Sequence, residues 1–92
     1  MMSLANATVA PIPGVTFRRE DAARAARLRQ LYRLTPGETR ITLLVAQKMT
    51  TREIAETLEI SVNTVRSHLR SIFVKCEVPG QPALRRLVED LS

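Results

Sequence analysis

Apolar residues recur three and four positions apart in four consecutive segments after residue 33. This spacing places them on one face of an α-helix, so we predict amphipathic helices over residues 36–48, 51–58, 62–76 and 82–91. The connections are only a few residues long, which is typical of an all-α domain. The residues expected to face the core are Ile41, Leu44 and Val45, then Ile54, Ala55 and Leu58, then Val65, Leu69, Ile72 and Cys76, and finally Leu84, Leu87, Val88 and Leu91.

Polar residues that favour helix starts stand directly before these segments. Thr35 and Glu38 have the spacing of a capping box, and Thr50 and Glu53 repeat it before the second helix. Ser61 is in position to cap the third helix. Because both glutamates are expected to bond to backbone N–H groups, they need not repel a negatively charged partner.

The chain before residue 34 has a different character. Residues 1–16 combine small residues with two prolines and show no periodicity, so we predict a flexible tail. Residues 17–33 are rich in alanine and arginine and predict a linker helix that forms only when it docks on another surface. It is open whether this helix is part of a linker, a DNA-contacting arm or a dimer strut. Its expected inward stripe is Ala25, Leu28, Leu31 and Tyr32.

Charge and composition narrow the classes of function. The chain has 14 lysines and arginines against nine acidic residues, a net charge of +5 that favours nucleic acid first and an anionic membrane surface second as partner. One cysteine and one histidine can form neither an internal disulfide nor a metal site. No apolar run approaches the roughly 20 residues of a membrane span, and no secretory signal is present. We therefore expect a cytoplasmic protein without a cofactor or catalytic group.

The third predicted helix has a second face of interest. Opposite its apolar stripe lie Asn63, Ser67, Arg70 and Val74, with Arg66 at the shoulder. Arginine can bond to guanine O6 and N7, asparagine can bond to adenine, and hydroxyl groups adapt to either. Together with the short connection to the second helix, this face predicts a helix-turn-helix unit whose third helix enters a DNA major groove.

The segment "LTPGETRITLLVAQKMTTREIAETLEISVNTVRSHLRSIFVKCEV" resembles the LuxR-type helix-turn-helix domain of bacterial transcription regulators. The resemblance extends from about Leu34 to Leu91. It implies a four-helix DNA-binding domain that acts in transcription regulation, here preceded by the tail and the linker helix. The matching residues are Leu34, Thr35, Pro36, Glu38, Ala46, Glu53, Ile54, Ala55, Leu58, Ile60, Ser61, Thr64, Val65, Arg66, His68, Leu69, Ile72, Phe73, Lys75 and Val78.

The resemblance also implies roles for individual positions. Arg66, Ser67 and Arg70 would face base edges, whereas Asn63 lies on the same side with its partner, base or phosphate, left open. The fourth helix, through Leu84, Leu87, Val88 and Leu91, would join two subunits into a homodimer on an inverted repeat, with RNA polymerase as a further candidate partner. The residues expected near the phosphate backbone are Thr50, Thr51, Arg52, Ser61, Thr64, His68 and Lys75.

Five positions depart from the family pattern. Lys48, Glu59 and Glu77 stand where glycine is frequent, Thr42 where an apolar residue is common, and Gln81 where arginine is frequent. A left-handed backbone at Glu59 or Glu77 would cost a non-glycine residue about 1 kcal/mol. We therefore do not transfer any DNA sequence preference from the family.

Two other functions fit the same helices. The acidic Glu59 near the turn could prevent DNA docking and leave a protein-interaction module that acts on another regulator. The promoter-binding domain of a sigma factor shares the helix-turn-helix layout. The sequence alone also leaves open whether the domain acts alone or closes a longer regulator.

Overall fold

The computed structural model describes residues 19–91, which form five helices and, within that range, no strand. The all-α fold predicted from the sequence is confirmed. The predicted tail over residues 1–16 and the first two residues of the linker helix lie outside the described residues. In chain order the helices are α1 (Arg19–Tyr32), α2 (Pro36–Ala46), α3 (Thr51–Leu58), α4 (Val62–Cys76) and α5 (Gln81–Asp90).

Hydroxyl side chains cap the starts of the three central helices. Both predicted capping boxes are formed: Thr35 Oγ1 accepts from the Glu38 N–H at 3.1 Å, and Glu38 Oε1 accepts from the Thr35 N–H at 2.9 Å. Thr50 and Glu53 make the same pair of bonds at 3.1 and 2.8 Å. Ser61 Oγ accepts from the backbone N–H three residues further on, at 3.0 Å. These bonds satisfy N–H groups that lack partners inside the helix and fix where each helix begins.

Left-handed residues end the same three helices. Lys48, Glu59 and Glu77 have φ angles of 67°, 58° and 56°. After α3, the Ile60 N–H bonds to the Ala55 carbonyl at 3.0 Å, as expected for a Schellman motif, and equivalent bonds follow α2 and α4. The left-handed backbone considered for Glu59 and Glu77 is therefore present. The first predicted helix ends at Ala46 instead of residue 48, because the chain leaves the helix through this motif.

Helix α2 is the centre of the core, since it contacts each of the other four helices. It is buried on more than the predicted stripe: Leu43, Thr39 and Thr42 are also almost fully inaccessible to solvent. The two threonine hydroxyls donate to carbonyl groups four residues earlier, each at 2.8 Å. A threonine can therefore replace the apolar residue common at position 42 without leaving a buried hydroxyl unbonded.

Helix α1 docks on α2 through Ala25 and Leu28, both fully buried. Tyr32 is half-buried against the same core, but Leu31 is 57% exposed and its predicted inward position is wrong. Leu31 lies about 120° around the helix from Ala25, too far to reach the face that α2 covers.

Helix α5 packs against α2 with Leu84 and Val88, and both side chains are fully buried within the protomer. These two residues of the predicted dimer stripe therefore pack in the core of the protomer, and the dimer interface itself stays a prediction. Leu87 and Leu91 are half-buried and keep part of their surface. Arg85 adds a bond from Nε to the Val45 carbonyl at 3.4 Å, which anchors α5 to the end of α2.

Replacing the left-handed glutamates with glycine should stabilise the fold. We expect Glu59→Gly and Glu77→Gly each to raise the free energy of unfolding by about 0.5–1 kcal/mol, because glycine adopts positive φ without steric cost. Urea denaturation measures the change. The matched control is Glu56→Gly, at an exposed interior position of α3, which should lower stability by about 1 kcal/mol. Destabilisation by all three substitutions would contradict the strain at these turns.

Candidate nucleic-acid interface

Helix α4 has one buried and one exposed face. Val65, Leu69, Ile72 and Cys76 are buried, as predicted. The opposite face, which we call the reading stripe, consists of Asn63, Ser67, Arg70 and Val74, all exposed. Val74 is an apolar side chain with 74% of its surface accessible to solvent, although it belongs to a helix anchored in the core. The stripe thus presents an amide, a hydroxyl, a guanidinium and a methyl surface in one line.

One side of α4, which carries Arg66 and Phe73, faces the starts of α3 and α5. We call this side the first flank. Gln81 Nε2 donates to Thr51 Oγ1 at 3.3 Å, so the two helix starts are joined beside α4. One groove on this flank brings together Arg66 and Arg70, predicted to read bases, and Thr51, predicted to contact phosphate. The shallow groove here is lined by Thr51, Arg66, Leu69, Arg70, Phe73 and Gln81.

Hydroxyl groups are concentrated where α3 and α4 begin. Thr50, Ser61 and Thr64 are exposed, as is the Arg52 side chain. Ser61 and Thr64 also share a hydrogen bond of 2.8 Å between their hydroxyl oxygens. Helix starts carry partial positive charge and unpaired N–H groups, so these positions suit contact with phosphate oxygens. His68 is half-buried at the edge of the helix.

The other side of α4, which we call the second flank, carries Ser71 and Lys75. It is attached to the start of α2 through a buried carboxylate. Glu38 is only 5% exposed, and its Oε2 accepts from Ser71 Oγ at 2.8 Å. Its Oε1 accepts from Lys75 Nζ at 2.8 Å in addition to its capping bond with Thr35. Lys75 Nζ also donates a hydrogen bond to the Arg33 carbonyl oxygen at 3.4 Å. The Lys75 ammonium group, predicted to contact phosphate, is therefore paired with a carboxylate of the protein itself.

The environment of Glu38 keeps it ionised. Burial alone raises the pKa of Glu38, but the hydrogen bonds from Lys75, Thr35 and Ser71 and the positive charge of Lys75 outweigh that effect. The net result is a pKa lowered from 4.5 to about 2. A charged group thus holds α4 in place at neutral pH.

Cys76 ends the buried stripe of α4 as a free thiol. Burial, and then the negative charge of Glu38, raise the pKa of the Cys76 thiol from 9.0 to about 11. The thiol is therefore protonated at neutral pH and unreactive, which agrees with its predicted position facing the core. Among residues 19–91, no group of three or more His, Cys, Asp or Glu side chains could hold a metal ion. None of the described helices is long and apolar enough to cross a bilayer.

Sequence reasoning covered this surface only in part. It placed Val74 on the exposed face of α4 without predicting a contact for it, and it treated Gln81 only as a departure from the family pattern. The contact of Glu38 with Ser71 and Lys75 had no signal in the sequence, because the partners are 33 and 37 residues away from the glutamate.

The three residues between α3 and α4 make a tight connection, and the second of the two helices exposes its polar face. This arrangement defines a helix-turn-helix protein. The GerE family, described as bacterial regulatory proteins of the luxR family, matches residues 32–88. The chain belongs to this family and is a DNA-binding transcription regulator. Neither a curated protein nor a solved structure matches the chain significantly.

The ion pair of Glu38 predicts how stability depends on pH. Because its pKa is lower in the folded protein, its contribution is fully present above pH 4.5 and is lost as the pH falls toward 2. Glutamine at position 38 can still form the capping box but carries no charge. We expect Glu38→Gln to lower the free energy of unfolding by about 1–3 kcal/mol at neutral pH, and by less in acid.

Urea denaturation at several pH values measures this difference. Glu89→Gln, which removes an exposed carboxylate from α5, is the matched control and should follow the wild-type curve. If the Glu38→Gln and wild-type curves stay parallel from neutral pH to pH 2, the ionised pair does not stabilise the fold.

Proposed function

We propose that α4 is the recognition helix and enters the major groove of DNA with its reading stripe. The observation that carries this proposal is the contrast between the two faces of α4: four fully or almost fully buried residues against four exposed ones, three of them with hydrogen-bonding side chains. A helix of 15 residues anchored in this way can insert as a rigid body.

Arg66, Ser67, Arg70 and Asn63 would supply the direct base contacts. The arginines suit guanine, and Asn63 suits adenine if it reaches a base edge. Val74 extends the stripe by one helical turn beyond Arg70, and its methyl groups suit the C5-methyl group of thymine. The predicted site would therefore include an apolar contact besides the polar ones.

The phosphate contacts would come from the starts of α3 and α4. On the side that would face DNA, these two helix N-termini carry four hydroxyl groups and one guanidinium group. The residues are Thr50, Thr51, Arg52, Ser61 and Thr64. His68 is a further candidate at the helix edge. Lys75 is a weaker candidate than the sequence alone indicates, because a phosphate would compete with Glu38 for its ammonium group.

We further propose that the protein binds an inverted repeat as a homodimer through α5. The support is the apolar surface that Leu87 and Leu91 keep outside the core, next to the fully buried Leu84 and Val88. Binding at a promoter would bring the dimer close to RNA polymerase, which stays a candidate partner.

The exposed Glu59 favours one other function, a protein-interaction module that acts on another regulator. The two functions differ in their response to salt. DNA binding should weaken steeply as salt rises, because bound phosphates release counterions, whereas an apolar protein interface should not.

Selection from a randomised duplex pool tests base reading by α4. We expect wild-type protein to enrich a defined motif, and Arg70→Ala to lose about 1–3 kcal/mol of affinity for it together with preference at one base pair. Arg66→Ala should relax the base preference at a neighbouring position of the motif. Arg86→Ala, an exposed arginine on α5, is a control that should retain the motif. If both α4 variants enrich the same motif as the wild type, α4 does not read the bases.

The dimer is tested with the enriched motif itself. We expect an inverted repeat whose half-sites lie about one helical turn apart, bound more tightly than a single half-site. Leu91→Lys should reduce this advantage without changing affinity for the half-site, because it places charge on the remaining apolar surface of the α5 end. Enrichment of a single half-site by the wild-type protein would argue for a monomeric reader.

A further inference from the structure

With the reading stripe in a major groove, the two flanks of α4 would face the two phosphate backbones that border that groove. The first flank carries Arg66, next to Thr51 at the start of α3. The second flank carries Ser71 and Lys75, which are bonded to Glu38. The two flanks therefore differ in the positive charge they can offer to a phosphate.

On the second flank, the charge of Lys75 is balanced within the protein. Its ammonium lies 2.8 Å from the ionised Glu38 carboxylate, which is almost inaccessible to solvent. An ion pair of this kind contributes little net charge to its surroundings. A phosphate backbone beside this flank would need a cation from another part of the chain.

The end of α1 reaches this flank. Lys75 Nζ donates to the Arg33 carbonyl oxygen at 3.4 Å, so the residue that follows α1 lies directly against α4. The Arg33 side chain is exposed. Beside it runs an open groove lined by Ala26, Arg29, Gln30, Arg33 and Leu34, in which two guanidinium groups and an amide stand around a small alanine.

We propose that the C-terminal end of α1 is part of the DNA interface and that Arg33 binds a backbone phosphate beside the second flank of α4. This inference rests on the proposed insertion of α4 in the major groove. A guanidinium group can bind two phosphate oxygens at once, and the lysine bond to the Arg33 carbonyl fixes its distance from the recognition helix. The contact adds affinity and orientation without reading sequence.

The backbone of Arg33 allows a test that loss of folding cannot imitate. Arg33 has a φ of 58°, a conformation that glycine adopts without strain. Arg33→Gly thus removes the guanidinium group while relieving the backbone, and its melting temperature should equal or exceed that of the wild type. The control is Arg27→Ala, which also removes an exposed arginine from α1. Arg27 lies about 200° around the helix from Arg29 and does not line the groove that Arg29 and Arg33 share.

The measurement is affinity for a mixed-sequence duplex as a function of salt, with the full chain. Loss of one phosphate contact should make the slope of log K against log salt shallower by about 0.9, and weaken binding about three- to tenfold at low salt. We expect this change in Arg33→Gly but not in Arg27→Ala. The motif selected from a randomised pool should be the same in both variants as in the wild type.

Two results would overturn the inference, and they can be told apart. If the wild type shows salt-dependent binding and Arg33→Gly has the same slope, α1 is not part of the interface while the proposed function stands. If the wild type shows no salt-dependent binding to any duplex, both fail together.

A second measurement locates the contact in space. An iron chelate that cleaves DNA can be attached to Arg33→Cys, because the natural thiol of Cys76 is buried and protonated. We expect strand cleavage at the backbone beside the bound site, and much weaker cleavage from the same reagent on Arg27→Cys. Equal cleavage from both positions would contradict a defined place for Arg33 on the DNA.

Discussion

The position of α4 depends on one buried carboxylate. Glu38 caps α2 through Thr35, and the same side chain accepts bonds from Ser71 and Lys75 on α4. The helix at the centre of the core and the helix that carries the reading stripe are thus joined by directional bonds as well as by apolar packing. Removing the charge would leave Lys75 without its closest partner and would loosen α4 relative to α2.

The turns of this domain are built without glycine at the positions that favour it most. Lys48, Glu59 and Glu77 each adopt a left-handed backbone, and each is followed by an apolar residue of a Schellman motif. The bonds of that motif and the burial around it outweigh a steric cost of about 1 kcal/mol per position. Glu59 therefore adopts the left-handed conformation that glycine favours, and its charge remains at the surface near the start of α4.

The elements that local signals specify were predictable from the sequence. The two capping boxes and Ser61 fixed the starts of α2, α3 and α4, and the apolar spacing placed α4 over residues 62–76, as observed. The end of α2 was set two residues too late, because a Schellman motif with lysine has no distinct sequence signal.

Features that depend on packing between helices could not be predicted in the same way. Leu31 matches the apolar pattern of its helix, yet it is exposed because the covered face of α1 is narrow. The bond of Lys75 to Glu38 requires the relative placement of α2 and α4, which no local pattern contains. The candidate site was therefore predictable as a face of α4, but the engagement of Lys75 and the proximity of Arg33 were not.

An ion pair with one buried partner is often no more stabilising than an apolar contact of the same size, so stability alone does not account for Glu38 and Lys75. Apolar stripes such as Val65, Leu69 and Ile72 tolerate small shifts along the helix axis, because their contacts have no preferred direction. Hydrogen bonds of 2.8 Å from two successive turns of α4 to one carboxylate do not tolerate such shifts. The base readout proposed for α4 requires side chains held to within about 0.5 Å, so the more valuable effect of the pair is to fix the register of α4.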